Sequence, residues 1–596
     1  MISSTEKLAL LRASMKQKDI DVYIIPCTDP HLGEYIPDHW RIIRWLTGFT
    51  GSFAAVAITD SYAGLWTDSR YFIQAEHQLR DSGFGLINSV YPDLTDFTEW
   101  IPEVVKTGFK IGFDGMILSK LLLRKIEMVL KEKNVSYNSE SDLISEMWTD
   151  RPPMPLSMAF DHSVEFCGKG REEKIAKVRE LMKKQNADYH LLTSLDDIMW
   201  LLNIRGKDVK FCPLLTCFAI VGHDQILLYV DEGQVPLRIA MEFDKQNIVL
   251  IPYEETEGML STLPYRSTIL INSATISASL YNSIRKRTKI IEDISIPTRL
   301  KAIKNEVEIK NIGKAMLKDG VALSKFFYWL EKNRGFIVIS ELTLAEKLSD
   351  LRAEQENSLG DSFSTIAAWN EHGALPHYSA TPESSSVIGE KGILLLDSGG
   401  QYLDGTTDIT RTIVMGKPSV QQMIDFTLVL KGTISLAMAK FPQGTKGYQL
   451  DILARNSLWE HGMNYGHGTG HGVGFCLNVH EGPQGIGPGL AKGSSTELEK
   501  GMLISDEPAV YREGKYGIRT ENLILCVEDE STEFGKFLKF ETVSLCYIDK
   551  SLIEISLLNQ KEIDWLNSYH SQVFGELSPH LTKDERSWLK EKTTSF

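Results

Sequence analysis

Four carboxylates and one imidazole carry the clearest chemistry in this chain. Asp397 and Asp408 stand upstream of Gly466-His467-Gly468-Thr469-Gly470-His471-Gly472, and Glu507 and Glu521 follow it. Carboxylate oxygens suit hard or borderline divalent cations, and neutral imidazole is accepted by Mn²⁺, Zn²⁺ and Co²⁺ alike. Four negative charges balance the four positive charges of two such ions. A water held between them would be activated near neutral pH, which is what metal-assisted hydrolysis requires.

Each of these residues has a plainer reading when taken alone. An Asp at a strand end is usually a turn residue, and a single Glu is usually solvated surface. Their context argues otherwise. Gly392-Ile393-Leu394-Leu395-Leu396-Asp397-Ser398-Gly399-Gly400 predicts a buried strand ending in a glycine turn, and Thr406-Thr407-Asp408-Ile409-Thr410-Arg411-Thr412 predicts its antiparallel return. Asp397 and Asp408 then lie on neighbouring strands facing one site. Glu507 lies in Asp506-Glu507-Pro508 beside strand-like residues. Glu521 stands just ahead of the apolar run Leu523-Ile524-Leu525-Cys526-Val527, so it belongs with a buried strand. A carboxylate there needs a partner, and a metal supplies one.

Glycines at 466, 468, 470, 472 and 474 exclude a helical metal site with histidines four apart. Five glycines would cost a helix roughly 4–5 kcal/mol relative to alanine. The alternation predicts instead an extended segment pressed against other backbone, with His467 and His471 directed at a pocket. A phosphate-cradling loop would need Lys followed by Ser or Thr at a helix start, and the segment has neither.

The elements that must position these residues can be followed along the chain. Met15-Lys16-Gln17-Lys18 leads into Asp21-Val22-Tyr23-Ile24-Ile25, and Met182-Lys183-Lys184-Gln185 leads into Asp188-Tyr189-His190-Leu191-Leu192. In both places a helix runs into a strand. Both continue to a Trp-Leu pair, at 45–46 and 200–201, and then to two apolar strands. Two related α/β domains in tandem explain the pattern. Pro152-Pro153-Met154-Pro155 separates them, and Ile296-Pro297-Thr298 marks a second boundary. A long amphipathic helix begins near Lys304, another follows Glu341, and the tail from Lys550 is helical with an apolar face at Leu557, Ile563, Trp565 and Leu566.

At 596 residues the chain divides into several domains, and its 42% hydrophobic and 24% charged residues are those of a soluble globular protein. A net charge of −15 argues against a general nucleic-acid binder. Seven cysteines without regular spacing predict buried thiols rather than a disulfide framework. The N-terminus has no basic segment followed by an apolar block, and no apolar stretch approaches the ~18 residues of a membrane span. The expectation is a cytoplasmic protein with no membrane association.

These positions and their flanks resemble the pita-bread metallopeptidases, most closely the three-domain Xaa-Pro aminopeptidases. The resemblance rests on Asp397-Ser398-Gly399, Asp404 to Thr412, Gly466 to Gly474, Asn478-Val479-His480-Glu481-Gly482-Pro483, Asp506-Glu507-Pro508 and Gly517-Ile518-Arg519. It extends to Thr67-Asp68-Ser69-Arg70-Tyr71 and to Glu562-Ile563-Asp564-Trp565-Leu566. It implies an α/β (α+β) architecture of two tandem creatinase-like α/β domains, residues 1–155 and 156–300. A pita-bread catalytic domain, 301–596, then follows, with a helical extension from about 549. Asp397 would be a terminal ligand of one metal, Asp408 and Glu521 would bridge, and His471 and Glu507 would belong to the other. The ions would be two Mn²⁺ per subunit, with Zn or Co possible in their place, and Glu507 would move the proton.

By the same resemblance, His377, in Leu375-Pro376-His377-Tyr378, and His480 contact the substrate around the scissile bond. His467 is a third pocket histidine, and Arg70 reaches substrate from the first domain. The substrates implied are peptides with proline in second position, and the assembly is a homodimer formed mainly through the third domain, where Trp565 and Trp588 need cover. A prolidase limited to Xaa-Pro dipeptides is the nearest alternative, and the chain's length and second α/β domain favour the aminopeptidase. A non-catalytic pita-bread binding protein should have lost ligands, and all five are present. Ala509-Val510 and Thr520 depart from the family pattern, which bears on substrate preference rather than on the ligands.

Overall fold

The computed structural model describes residues 2–68, 70–87, 97–489 and 493–596. The chain divides into two compact units, Met1–His162 with Lys169–Thr298, and Ser163–Gly168 with Arg299–Phe596.

The first unit is built twice from one plan. Helix Ser4–Gln17, whose Ser3 cap accepts from Glu6 N while Glu6 accepts from Ser3 N, runs into strand Val22–Pro26. Strands Ala54–Ile58 and Ala63–Thr67 follow antiparallel, and Gly85–Ile87 adds in parallel beyond them. On the other side of Val22–Pro26, strands Lys110–Gly112 and Ser136–Asn138 add in parallel. The second copy repeats this, from helix Arg171–Lys184 into strand Tyr189–Leu192, then Phe218–Gly222, Ile226–Tyr229, Ile248–Ile251, Thr268–Ile271 and Lys289–Glu292. Counted within each copy, both sheets run fourth, third, second, first, fifth, sixth. The duplication foreseen from a few residues therefore extends to three further strands per copy. Trp45 and Trp200 both fall in the short helix after the first strand.

Within this unit His31 joins the two copies. Its ring is buried, Nδ1–H donates to Thr193 O at 3.0 Å, and Nε2 accepts from the Tyr253 hydroxyl at 3.0 Å. The ring lies 4.2 Å from that of Phe218. Burial pushes its pKa down to about 3.

In the second unit, helix Glu306–Asn333 starts at Asn305, whose side chain accepts from Val307 N and Glu308 N while Glu308 accepts from Asn305 N. Helix Glu341–Ala353 packs beside it, tied by Arg352 to Asp319. Strand Gly392–Ser398 lies between Ile366–Trp369 and Ile409–Met415, antiparallel to both. A six-stranded antiparallel sheet runs Lys440–Pro442, Gly535–Thr542, Asn522–Thr532, Leu503–Asp506, Gly470–Gly472, Glu481–Ile486. Helices Val420–Ala437 and Gly447–Trp459 cover it, and a hairpin, Ala509–Arg512 with Tyr516–Arg519, completes the frame. One apolar core joins Phe326, Phe327, Leu394, Leu396, Leu428, Leu430 and Leu589.

The helical tail, Gln560–Leu577 and Lys583–Lys592, packs on its own unit. Trp588 is only 5% exposed, set edge-on to Tyr328 and Tyr547, with Nε1–H donating to Glu331 at 2.9 Å. The cover that Trp588 needs thus comes from the same chain, which removes one of the reasons for expecting a dimer. All seven cysteines are free and six are buried, as their spacing predicts.

Candidate metal centre

Asp397 occupies the penultimate position of strand Gly392–Ser398, opposite Thr410, and Asp408 directly precedes the return strand Ile409–Met415. The antiparallel pair read from the sequence is present. Glu521 directly precedes strand Asn522–Thr532, and its carboxylate accepts from Thr410 Oγ1 at 2.7 Å. The three carboxylates are buried, with exposures of 8%, 4% and 2% for Asp397, Asp408 and Glu521. Glu507, partly exposed, follows strand Leu503–Asp506, and its N–H donates to Thr469 O at 2.8 Å.

His471 reaches the same point from strand Gly470–Gly472. Its Nδ1–H donates to Gly472 O at 3.0 Å, which fixes the tautomer and leaves Nε2 at 3.4 Å from Asp408 and 3.7 Å from Glu507. The glycine alternation around it does what the sequence suggests. A Cβ at Gly470 would lie 1.8 Å from Ser505 O, and one at Gly472 would lie 2.2 Å from Glu481 O. The backbone can pass only because those atoms are missing.

Three of these acids hold their protons tightly. Burial and mutual repulsion raise the Asp397 and Glu521 pKa values, and Glu507 is raised mainly by burial. Burial alone would lower the His471 pKa, but Asp408 and Glu507 overcome it and raise the ring to about 9. Asp397 Oδ1 is buried with no hydrogen-bond partner, and ligand atoms of Asp408, His471 and Glu521 lie within 4.8 Å of one another. This donor set fits divalent cations. Oxygen-rich ligation with one imidazole suits hard or borderline ions, and cationic charge relieves the repulsion.

Two groups that sequence reasoning did not single out complete the centre. The Arg519 guanidinium donates to Asp397 Oδ2 at 2.5 Å, to Thr410 Oγ1 at 3.1 Å and to the Tyr511 hydroxyl at 2.6 Å. His467, through Nε2, is 2.8 Å from the same Tyr511 hydroxyl. A continuous hydrogen-bonded line therefore runs from His467 to Asp397. The available signal was an arginine two residues ahead of a buried Glu in an otherwise apolar stretch.

The other expected residues fall as follows. His480 sets its ring edge-on to His471 at 4.3 Å, so it borders the cluster. His377 is half-buried, and the carbonyl of its neighbour Pro376 lies 3.4 Å from Arg519 Nη2. Arg70 belongs to the first unit, where it pairs with Asp68 at 2.8 Å and lies 3.5 Å from Glu34. Ser69 of the same motif lies outside the described residues.

A buried carboxylate cluster with one imidazole, carried on antiparallel strands, defines a metal-dependent hydrolase. Known proteins carry this further. Residues 310–528 match the model of metallopeptidase family M24, and 536–596 match the C-terminal region of peptidase M24. Residues 7–147 and 150–308 each match a creatinase/prolidase N-terminal domain. A Laccaria bicolor relative named Probable Xaa-Pro aminopeptidase P is 37% identical over 609 residues, covering 99% of this chain and 93% of its own. A Coprinopsis cinerea relative of the same name is 37% identical over 626 residues, covering 100% and 98%. The X-prolyl aminopeptidase of Caenorhabditis elegans, described as a cytosolic enzyme with a di-nuclear active site, superposes with a TM-score of 0.95 at 35% identity over 100% of both chains. The chain belongs to metallopeptidase family M24, in the branch where creatinase-type domains precede the catalytic domain.

Proposed function

We propose that this enzyme releases the N-terminal residue from peptides whose second residue is proline. What supports the reading is the buried grouping of Asp408, His471 and Glu521, with Glu507 3.7 Å from His471, in a chain matching an X-prolyl aminopeptidase from end to end. Asp397, Asp408, His471, Glu507 and Glu521 would hold two divalent ions, taken as Mn²⁺. When bound, such a pair polarises the scissile carbonyl and activates water at neutral pH. The protein does the rest. Glu507, its proton affinity raised by burial, passes the proton to the departing proline nitrogen. His480 and His377 donate to charge developing at the scissile bond. Arg519 holds Asp397 in place and offsets part of the acid cluster.

Proline in second position makes the scissile bond a tertiary amide without an N–H. A cleft that asks for no donor there accepts it. Arg70 would contact the peptide, and the product side of the cleft would stay open to longer substrates. The three domains are assigned as 1–155, 156–300 and 301–596. The enzyme would act in the cytoplasm as a homodimer through its third domain, and a monomer mass by light scattering at micromolar concentration would remove the dimer.

The deciding assay offers Mn²⁺-loaded protein an Xaa-Pro-Xaa tripeptide, its N-acetylated form and an Xaa-Pro dipeptide. Cleavage of the free tripeptide and not the acetylated one is expected, because acetylation removes the charged amine that an acidic site attracts. Hydrolysis of the dipeptide alone would make the enzyme a prolidase.

A further inference from the structure

Glu481 stands beside His480, and the two side chains reach opposite partners. The His480 ring meets His471, whereas the Glu481 carboxylate lies between two lysines. Lys304 Nζ donates to Glu481 Oε1 at 2.5 Å, and Lys301 Nζ lies 3.6 Å from Oε2. All three side chains are within 2% of complete burial. One carboxylate between two ammonium groups is an expensive way to fill a core. An apolar trio of similar volume would stabilise the fold at least as well. Such a triad fixes geometry better than it adds stability.

Its members are anchored at both ends. Lys304 N–H donates to Gly501 O at 2.9 Å, Ile303 bridges to Met502, and Gly501 N–H donates to Cys526 O at 2.8 Å. The lysines therefore belong to the frame that includes strand Asn522–Thr532. Glu481 pairs with Gly472 across the sheet, at the register shift beside His471. The backbone at 481 is thus held from its side chain by the lysines and from its main chain by the strand that carries His471. His480 has Glu481 as its immediate neighbour.

We propose that Lys304, Lys301 and Glu481 form a positioning triad that sets the His480 ring against the metal centre. The proposal rests on the reading above that His480 acts on substrate. All three side chains are buried, so their influence on turnover would pass through the main chain at 480–481 to His480.

The test is a double-mutant cycle between Glu481→Gln and His480→Ala in Mn²⁺-loaded enzyme, with an Xaa-Pro-Xaa tripeptide as substrate. Glu481→Gln should lower kcat by about 10–100-fold, the range found for groups that orient a site from behind. KM should stay within about twofold, and the enzyme should keep two metal ions per chain. In a His480→Ala background the same substitution should have no further effect, because the residue it positions is gone. Lys304→Met should behave in the same way, and it carries the cycle if Glu481→Gln does not fold. An undiminished loss in the His480→Ala background would assign the triad a general structural role and overturn the proposal. So would unchanged kcat, or metal lost in step with activity. If His480→Ala alone left turnover intact, the reading of His480 itself would fail, which the single variant shows separately.

Discussion

Arg411 is the side chain whose loss the catalytic unit should feel most. It is 3% exposed, and its five N–H groups face six acceptors within hydrogen-bond distance. Nε reaches Tyr547 O at 2.9 Å, and Nη1 reaches Thr410 O at 2.9 Å and Glu521 O at 2.6 Å. Nη2 reaches Asn522 Oδ1, Cys546 O and the Tyr569 hydroxyl, at 2.8, 2.9 and 2.7 Å. The guanidinium thus joins the Asp408 strand, the Glu521 strand and the tail helix. Arg411→Met keeps most of the volume and deletes every donor. Thr410 O also accepts from Glu521 N, and Cys546 O also accepts from Tyr569, so these two acceptors keep a partner. Tyr547 O and Glu521 O lose the donors described for them, at about 1–3 kcal/mol each. Relief from burying a cation offsets part of this, and the Asn522 and Tyr569 groups add to it. A net loss of about 4 kcal/mol follows, or roughly 8–16 °C at about 2–4 °C per kcal/mol for a large domain. Calorimetry of the metal-free protein reads it. Arg411→Lys, with three donors and no planar fork, should fall between. A shift under about 3 °C for Arg411→Met would refute the reasoning, since the carbonyls would then have found other partners.

Three further outcomes are expected. His31 is buried neutral with a folded pKa of about 3, against about 6.5 unfolded, so the unfolded chain takes the proton first. Its contribution is complete above pH 6.5 and is lost as pH falls toward 3, reaching about 2 kcal/mol at pH 5 at about 1.4 kcal/mol per unit. His31→Gln should flatten the acid limb of a denaturant-midpoint profile for the first unit, and parallel limbs would rule this out. Metal analysis of Mn²⁺-loaded protein should give two ions per chain and fewer for Asp397→Ala, while full activity with one ion or none would sink the ligand assignment. His377→Ala, His480→Ala and His467→Ala should lower kcat with metal content retained, by ~2.7–4 kcal/mol for a donor that acts in the transition state. Loss of metal in parallel would move them into the ligand set.

What the sequence made legible was local. Asp397 and Asp408 could be placed because a strand, a turn and a return strand lie within one short stretch, and Glu521 because the residues after it are apolar. The glycine run could be read as close-packed extended backbone because a helix was excluded by propensity alone. Arg519 and Tyr511 could not be assigned, since they sit on a hairpin whose partners Asp397 and His467 come from distant parts of the chain. The fourth, fifth and sixth strands of each N-terminal sheet were missed because they are only three or four residues long, too short for a two-residue alternation to mark them. Ser163–Gly168 was read as part of the second α/β domain, yet it joins the catalytic unit. Asn311 donates to the Glu165 and Phe166 carbonyls, and Asn305 donates to that of Cys167. A helix cap and one buried amide decide that, and neither leaves a pattern in the segment itself.

The missing side chains at Gly470 and Gly472 bear on how variation in this enzyme should be interpreted. With carbonyl oxygens 1.8 and 2.2 Å from where a Cβ would stand, even alanine must push two strands apart. In a saturation screen scored by activity, these glycines would look as indispensable as His471, although they offer nothing to a metal or a peptide. Intolerance to substitution across this segment therefore records two separate constraints, one chemical and one of clearance. A variant at a glycine here would be expected to act by lowering the amount of folded enzyme, and only one at the histidine would leave a well-folded protein that cannot work.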